Sequence, residues 1–216
     1  MKPIHWVLLA AWTAVLVWSG IDPHDRFTWV LEVMPAWIAL AICAYLFPTL
    51  RFTPLVYTII CLHCLILMIG GKYTYAEMPL FNWIRDHYGL ARNYYDRVGH
   101  FMQGFSPAII AREVLLRKNI VRGGDRWLHF IIVSIVLAFS AVYEFVEWWV
   151  ALATGESATA FLGTQGDVWD TQWDMFMCTC GAILSLLLLR KLHDRELARH
   201  AASSSSSIES SLRARK

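Results

Sequence analysis

Charge is scarce in this chain. Only 17% of its 216 residues are Asp, Glu, Lys or Arg, whereas 57% are hydrophobic and the mean hydropathy is +0.44. That balance excludes an ordinary soluble domain, in which about a quarter of residues are charged. A cleavage signal is also missing. The first apolar run follows Lys2 and ends in "LVWSGIDPH", which holds no small-x-small site, and the run is too long for a typical leader. A retained helix is therefore expected. The five cysteines, Cys43, Cys61, Cys64, Cys178 and Cys180, are odd in number and all fall in apolar runs, so they imply no disulfide framework. "CLHC" at Cys61 to Cys64 lacks the second ligand pair of a zinc site and reads as helix packing, in which free Cys behaves as a small hydrophobe. No internal repeat is visible.

The apolar residues come in blocks. Ile4 to Gly20, Trp29 to Phe47, Leu55 to Gly70 and Trp127 to Trp149 are each able to cross or nearly cross a hydrocarbon core about 30 Å thick. Asp96 to Leu116 and Trp173 to Leu192 follow the same length rule with more polar residues. The expectation is an all-α, polytopic membrane protein of six transmembrane helices. Fourteen of the nineteen Lys and Arg then fall on the side holding both termini, which the positive-inside rule makes cytoplasmic. Pro23, Pro48 and Pro54 break the short links. Two longer outer connections, Gly71 to Tyr95 and about Leu152 to Thr171, are of the length that carries function or short helices. Residues 1–200 form one transmembrane domain in this reading, and 201–216, rich in serine, form a disordered polar cytoplasmic tail.

Against that background the polar residues of the last three spans are conspicuous. Measured inward from the cytoplasmic charges, His100 lies 17 residues from Arg117, Glu144 18 from Arg126 and Asp174 16 from Arg190, or roughly 24–27 Å for each. One turn further out, on the same faces, come Asp96, Glu147 and Asp170, with Asp167 in the loop above. Ionisable side chains are costly in lipid, so agreement in face and depth across three helices points to a shared cavity. Five carboxylates and one imidazole cannot all be charged at contact distance without a cation. Their oxygen and nitrogen donors suit Mg²⁺, Mn²⁺, Zn²⁺ or Fe²⁺.

Local structure offers another use for the same groups. Asp96 and Asp170 stand at helix starts, where an acid caps free N–H groups and favours the dipole, and Glu147 lies near interfacial Trp148 and Trp149. Arg92 and Arg97 can hold a phosphate or pair with neighbouring acids. Glu32 can join the cavity or snorkel, His63 reads as a hydrogen-bonded packing residue, and Gly99 and Gly104 permit close helix approach.

"DRVGHF" at Asp96 to Phe101, "YEFVEW" at Tyr143 to Trp148 and "GDVWDTQWDM" at Gly166 to Met175 closely resemble the bacterial domain-of-unknown-function family 2238. The resemblance runs from Met1 to about His200 and implies a polytopic inner membrane protein, with no established activity. More distantly, the acid and His-Phe pair, the acidic pair on the next helix and Asp170, Asp174, Gly181 and Ala182 look like the layout of VanZ-like proteins, linked to glycopeptide antibiotic resistance.

The functional expectation is a periplasm-facing site of a metal-assisted hydrolase or transferase acting on a lipid-linked or envelope substrate. His100, Asp96, Glu144, Asp170 and Asp174 are the candidate ligands for the divalent metal, Glu144, Asp174 and Glu147 the catalytic candidates, and Arg92, Arg97 and Asp167 the substrate contacts. The alternatives are a cation- or proton-binding transporter and an accessory protein with a structural polar cluster. The bilayer is the expected partner, and nucleic acid is not.

Overall fold

The computed structural model describes residues 2–121, 124–155 and 164–213. Among them are seven helices and no strand: α1 (Pro3–Gly20), α2 (Arg26–Leu46), α3 (Pro54–Lys72), α4 (Pro79–Tyr88), α5 (Tyr95–Arg117), α6 (Asp125–Thr154) and α7 (Asp170–Arg213). Five of these, α1, α2, α3, α6 and α7, are long and apolar enough to cross a membrane. The helix over the fourth expected span, α5, has the length at 23 residues but is studded with Asp96, Arg97, Arg112, Glu113 and Arg117, so composition alone does not mark it as a span.

Helix boundaries follow local chemistry. Proline occupies the first position of α1, α3 and α4, where its missing N–H costs nothing. Asp25 caps α2 by accepting from the Thr28 N–H at 2.6 Å, and Thr53 caps α3. The first long connection carries the short helix α4, which Gly89 ends with a left-handed residue at φ 62°. In the second, residues 156–163 lie outside the described residues, as do 214–216 at the end of the serine-rich segment, whose helical backbone is described as far as Arg213.

Two packing units share α3. On one side α3 packs with α1 and α2 around Trp12, Val33, Ala36 and Met68. On the other, α5 packs against α3, α6 and most extensively α7, around Ala108, Ile132, Val136, Cys178 and Ala182. Large apolar side chains such as Phe139, Phe145 and Leu187 face outward, as lipid-facing residues do. The polar α5 is thus the helix most wrapped by others.

The α5–α7 contact is close because two glycines face it. A Cβ at Gly104 would lie 1.7 Å from the Cys178 carbonyl oxygen, and one at Gly181 2.0 Å from the Phe101 oxygen. Backbone meets backbone there, the small-residue crossing of membrane helices. Gly99 has a different neighbour, the ring of Tyr75, 2.9 Å from its ideal Cβ.

Candidate polar site between α5, α6 and α7

The stretch "GTQGDVWDTQWDMFM" forms the entry to α7 and brings three aspartates over the first turns of α5. The loop is docked by reciprocal hydrogen bonds: Asn93 N–H donates to Gln165 Oε1 at 3.0 Å, and Gln165 Nε2 donates to the Asn93 carbonyl at 2.9 Å. Asn93 is itself held by Met78, Asn82 and the Tyr95 N–H. Asp167 turns the loop by accepting from the Trp169 N–H.

The acids meet two buried arginines. Arg92 pairs with Asp170, and with Asp96 at 3.4 Å. Arg97 pairs with Asp174, with Asp170 at 2.8 Å and with Asp167 at 3.2 Å. Arg92 Nη1 also donates to the Thr164 carbonyl at 3.0 Å. Each guanidinium therefore spans carboxylates from more than one part of the chain, a use its fixed fork of donors suits. Their side chains are only 3% and 10% exposed, so this pairing is formed out of water. Much of the acid charge that seemed to demand a metal is balanced by these arginines.

His100 joins the arginine cluster to a cavity. Its Nδ1 lies 2.8 Å from Gln103 Oε1. Nε2 faces Asp96 Oδ1 at 3.4 Å and Asp174 Oδ1 at 3.6 Å. Ligand atoms of Asp96, His100 and Asp174 lie within 4.8 Å of one another, the one group of metal-binding geometry among the described residues. Glu144 lies on the other side of the ring, with Oε1 3.9 Å from Nδ1. The first expected layer of His100, Glu144 and Asp174 thus converges, while the second divides. Asp96 and Asp170 enter the arginine cluster, and Glu147 faces a cavity of about 100 Å³ lined by Glu32, His63, Tyr75, Asp96, His100 and Tyr143. Asp170 engages arginines and stands outside the metal-binding group.

The cavity also takes in residues from the other half of the bundle. Glu32 is buried and lines the cavity, settling its two readings in favour of joining it. His63 lines it too, and its Nε2 is buried with no hydrogen-bond partner among the described residues, unlike the bonded packing residue expected. Tyr75 and Tyr143 had no signal in spacing. Residues of α2 and α3 reach this place only because α3 packs against both halves of the bundle.

A second buried cluster lies at the opposite end of α5. Glu113, fully buried, accepts at Oε1 from the Thr53 N–H and Arg117, both at 2.9 Å, and at Oε2 from Thr53 Oγ1 at 2.7 Å and His193 Nε2 at 3.0 Å. Arg112 Nη1 donates to His193 Nδ1 at 2.9 Å, so His193 carries its proton on Nε2. Arg112 Nη2 also donates to Asp194 at 2.6 Å. All four carboxylate positions of Glu113 are used, which marks a lock between α3, α5 and α7. In the sequence these residues read only as part of the basic side, because no spacing rule links Thr53, Glu113 and His193.

A bundle of apolar helices packed round a polar one, with ionisable groups buried inside, defines a polytopic helical membrane protein. The chain belongs to the family described as "Predicted membrane protein (DUF2238)", which matches residues 4–195. It is 46% identical over 187 residues to the inner membrane protein YjdF of Escherichia coli (strain K12), covering 87% of this chain and 89% of that protein. No solved structure matches the chain. It is a multi-pass protein of the bacterial inner membrane.

Proposed function

We propose that this is a six-span protein with cytoplasmic termini whose periplasm-facing site binds a divalent cation and uses it in hydrolysis or group transfer on a lipid-linked or envelope substrate. The observation that carries the reading is the orientation of His100. With Gln103 beside Nδ1, Nε2 faces Asp96 and Asp174 oxygens, a convergence that a cation held by all three groups or a proton on Nε2 satisfies. Asp96, His100 and Asp174 are the ligands in this reading, and a bound ion would polarise a phosphoryl or acyl oxygen and activate water. Glu144 and Glu147, neither paired with an arginine among the described residues, are the candidate general bases. Arg92 and Arg97 orient the acids. A substrate phosphoryl group would displace Asp167, the most exposed of their carboxylate partners at 24%.

The six-span topology is supported by contacts at both ends of α5. Arg92 and Arg97 meet the start of α7, while Glu113 meets the start of α3 and His193 far along α7, so α5 traverses the bundle.

Elemental analysis of protein purified without chelator tests the metal. Near-stoichiometric Mn, Zn, Fe or Mg, lost in His100→Ala and Asp174→Asn, is expected. Less than about a tenth of an equivalent of any of these, with no rise in melting temperature when each is added, would remove the basis of the reading. A second reading, cation or proton transport, is favoured by Glu32, His63 and Glu147, which line one cavity and have no ion pair among the described residues. It predicts coupled flux in proteoliposomes that Glu32→Gln or Glu147→Gln abolishes.

A further inference from the structure

A second cavity lies away from the polar site. It has a volume of about 360 Å³ and sits between the starts of α1 and α3 and the end of α2, lined by Leu8, Leu9, Trp12, Ala44, Tyr57 and Ile60 among others. Its walls are almost wholly apolar, and its size is that of small-ligand sites, about 300–1,000 Å³. Two of the three helices forming it, α1 and α2, are the spans least covered by the rest of the described chain, at 17% buried each, so it opens toward lipid on their side.

One end of this cavity is basic. His5 lines it and accepts at Nδ1 from the Lys2 backbone N–H at 2.9 Å, which ties the Lys2 backbone to a residue of the cavity wall. Phe47 lines the other side, and the Arg51 guanidinium lies 4.4 Å from its ring centroid. The Arg51 carbonyl is tied down by Arg117 Nη1 at 2.6 Å. Lys2 and Arg51 are both exposed, and neither is in an ion pair among the described residues. No carboxylate lines the cavity.

We infer that this cavity holds one acyl chain of an anionic phospholipid drawn from the surrounding leaflet, with the lipid phosphate between Lys2 and Arg51. The apolar wall supplies burial for the chain, and the unpaired cations at the bilayer edge supply the headgroup preference. A zwitterionic lipid meets the same wall but gains less at the rim. The apolar wall and cationic rim together call for an apolar chain carrying an anionic head, which a phospholipid supplies in one molecule.

Native mass spectrometry tests this on the full chain released from detergent containing equal phosphatidylglycerol and phosphatidylcholine with identical oleoyl chains. Phosphatidylglycerol should be retained in preference by about thirtyfold, the scale expected of two surface cations. Lys2→Gln with Arg51→Gln should bring the two lipids to parity, and Ala44→Phe should lower retention of both. Leu9→Phe serves as the cavity-filling variant if Ala44→Phe lowers the melting temperature. Equal retention of the two lipids by the unsubstituted chain, preference that survives the double substitution, or retention indifferent to both fillings would overturn the assignment.

Discussion

At the scale of single residues, the most tightly held side chain is Glu113. Removing it leaves the Thr53 N–H and hydroxyl and His193 without their acceptor inside the bundle, and breaking a buried charged network by deleting one partner costs about 3–5 kcal/mol. Glu113→Ala should therefore lower the detergent melting temperature sharply, with Glu113→Gln intermediate because the amide oxygen still accepts. An unchanged melting temperature in the alanine variant would show that the three helices are not locked here. Asp25 gives a pH-dependent counterpart at the surface. The Thr28 N–H beside it holds its carboxyl below the usual carboxylate range. A depressed folded value means that the cap stabilises fully above the ordinary pKa of about 4 and loses that contribution as pH falls through the folded value. Asp25→Ala should cost about 1 kcal/mol at neutral pH, with the gap to the unsubstituted protein closing in acid. A gap constant from pH 7 to pH 3 would show that the ionised cap contributes nothing.

Between elements, the decisive contact is the glycine crossing of α5 and α7. A methyl group at Gly104 meets the Cys178 backbone at 1.7 Å, which cannot move without the whole helix, whereas one at Gly99 meets a side chain, the Tyr75 ring, at the longer distance of 2.9 Å. Overpacking a tight contact costs about 1–3 kcal/mol, and rigid backbone places Gly104→Ala at the top of that range or beyond. The expected order of melting temperatures is unsubstituted, then Gly99→Ala, then Gly104→Ala. Because α7 carries Asp170 and Asp174, Gly104→Ala should also weaken their pairing with Arg92 and Arg97, read as faster proteolysis in the 164–170 loop. Equal behaviour of the two glycine variants would argue that the helices slide apart freely.

For the whole molecule, the testable property is how the chain is threaded. Reporter fusions after Leu50, Lys118 and His200 should read cytoplasmic, and fusions at Asp25, Glu77 and Gly155 periplasmic. A periplasmic Lys118 would reverse α5 and with it the placement of the polar site. The ion pairs of Arg92 and Arg97 also bear on assembly, since they tie the α4–α5 region to the loop before α7 and bring residues more than seventy positions apart into one cluster. Arg97→Ala should thus disturb packing as well as any activity, while Asp167→Asn, removing the most exposed acid, should leave the melting temperature within about 1 kcal/mol-equivalent of the unsubstituted value.

By itself the sequence determined the solvent and the helical class, and it singled out polar residues that the fold brings together. Long uncharged runs admit only a helix in lipid, and a fixed rise per residue converts spacing into height. Spacing thus grouped His100, Glu144 and Asp174, and in the fold both acids approach the His100 ring. What spacing along one helix cannot give is the azimuth of its neighbours, and that is where the tertiary structure decided. It turned Arg92 and Arg97 inward to balance the acids, split Glu147 from Asp170, and delivered Glu32, His63 and Tyr75 from the other half of the bundle. It also joined Thr53, Glu113 and His193 across three helices. The physical reason is the same throughout: an ionisable group in a bilayer interior must find a partner, and which partner it finds depends on helix packing, here on the room left by Gly104 and Gly181.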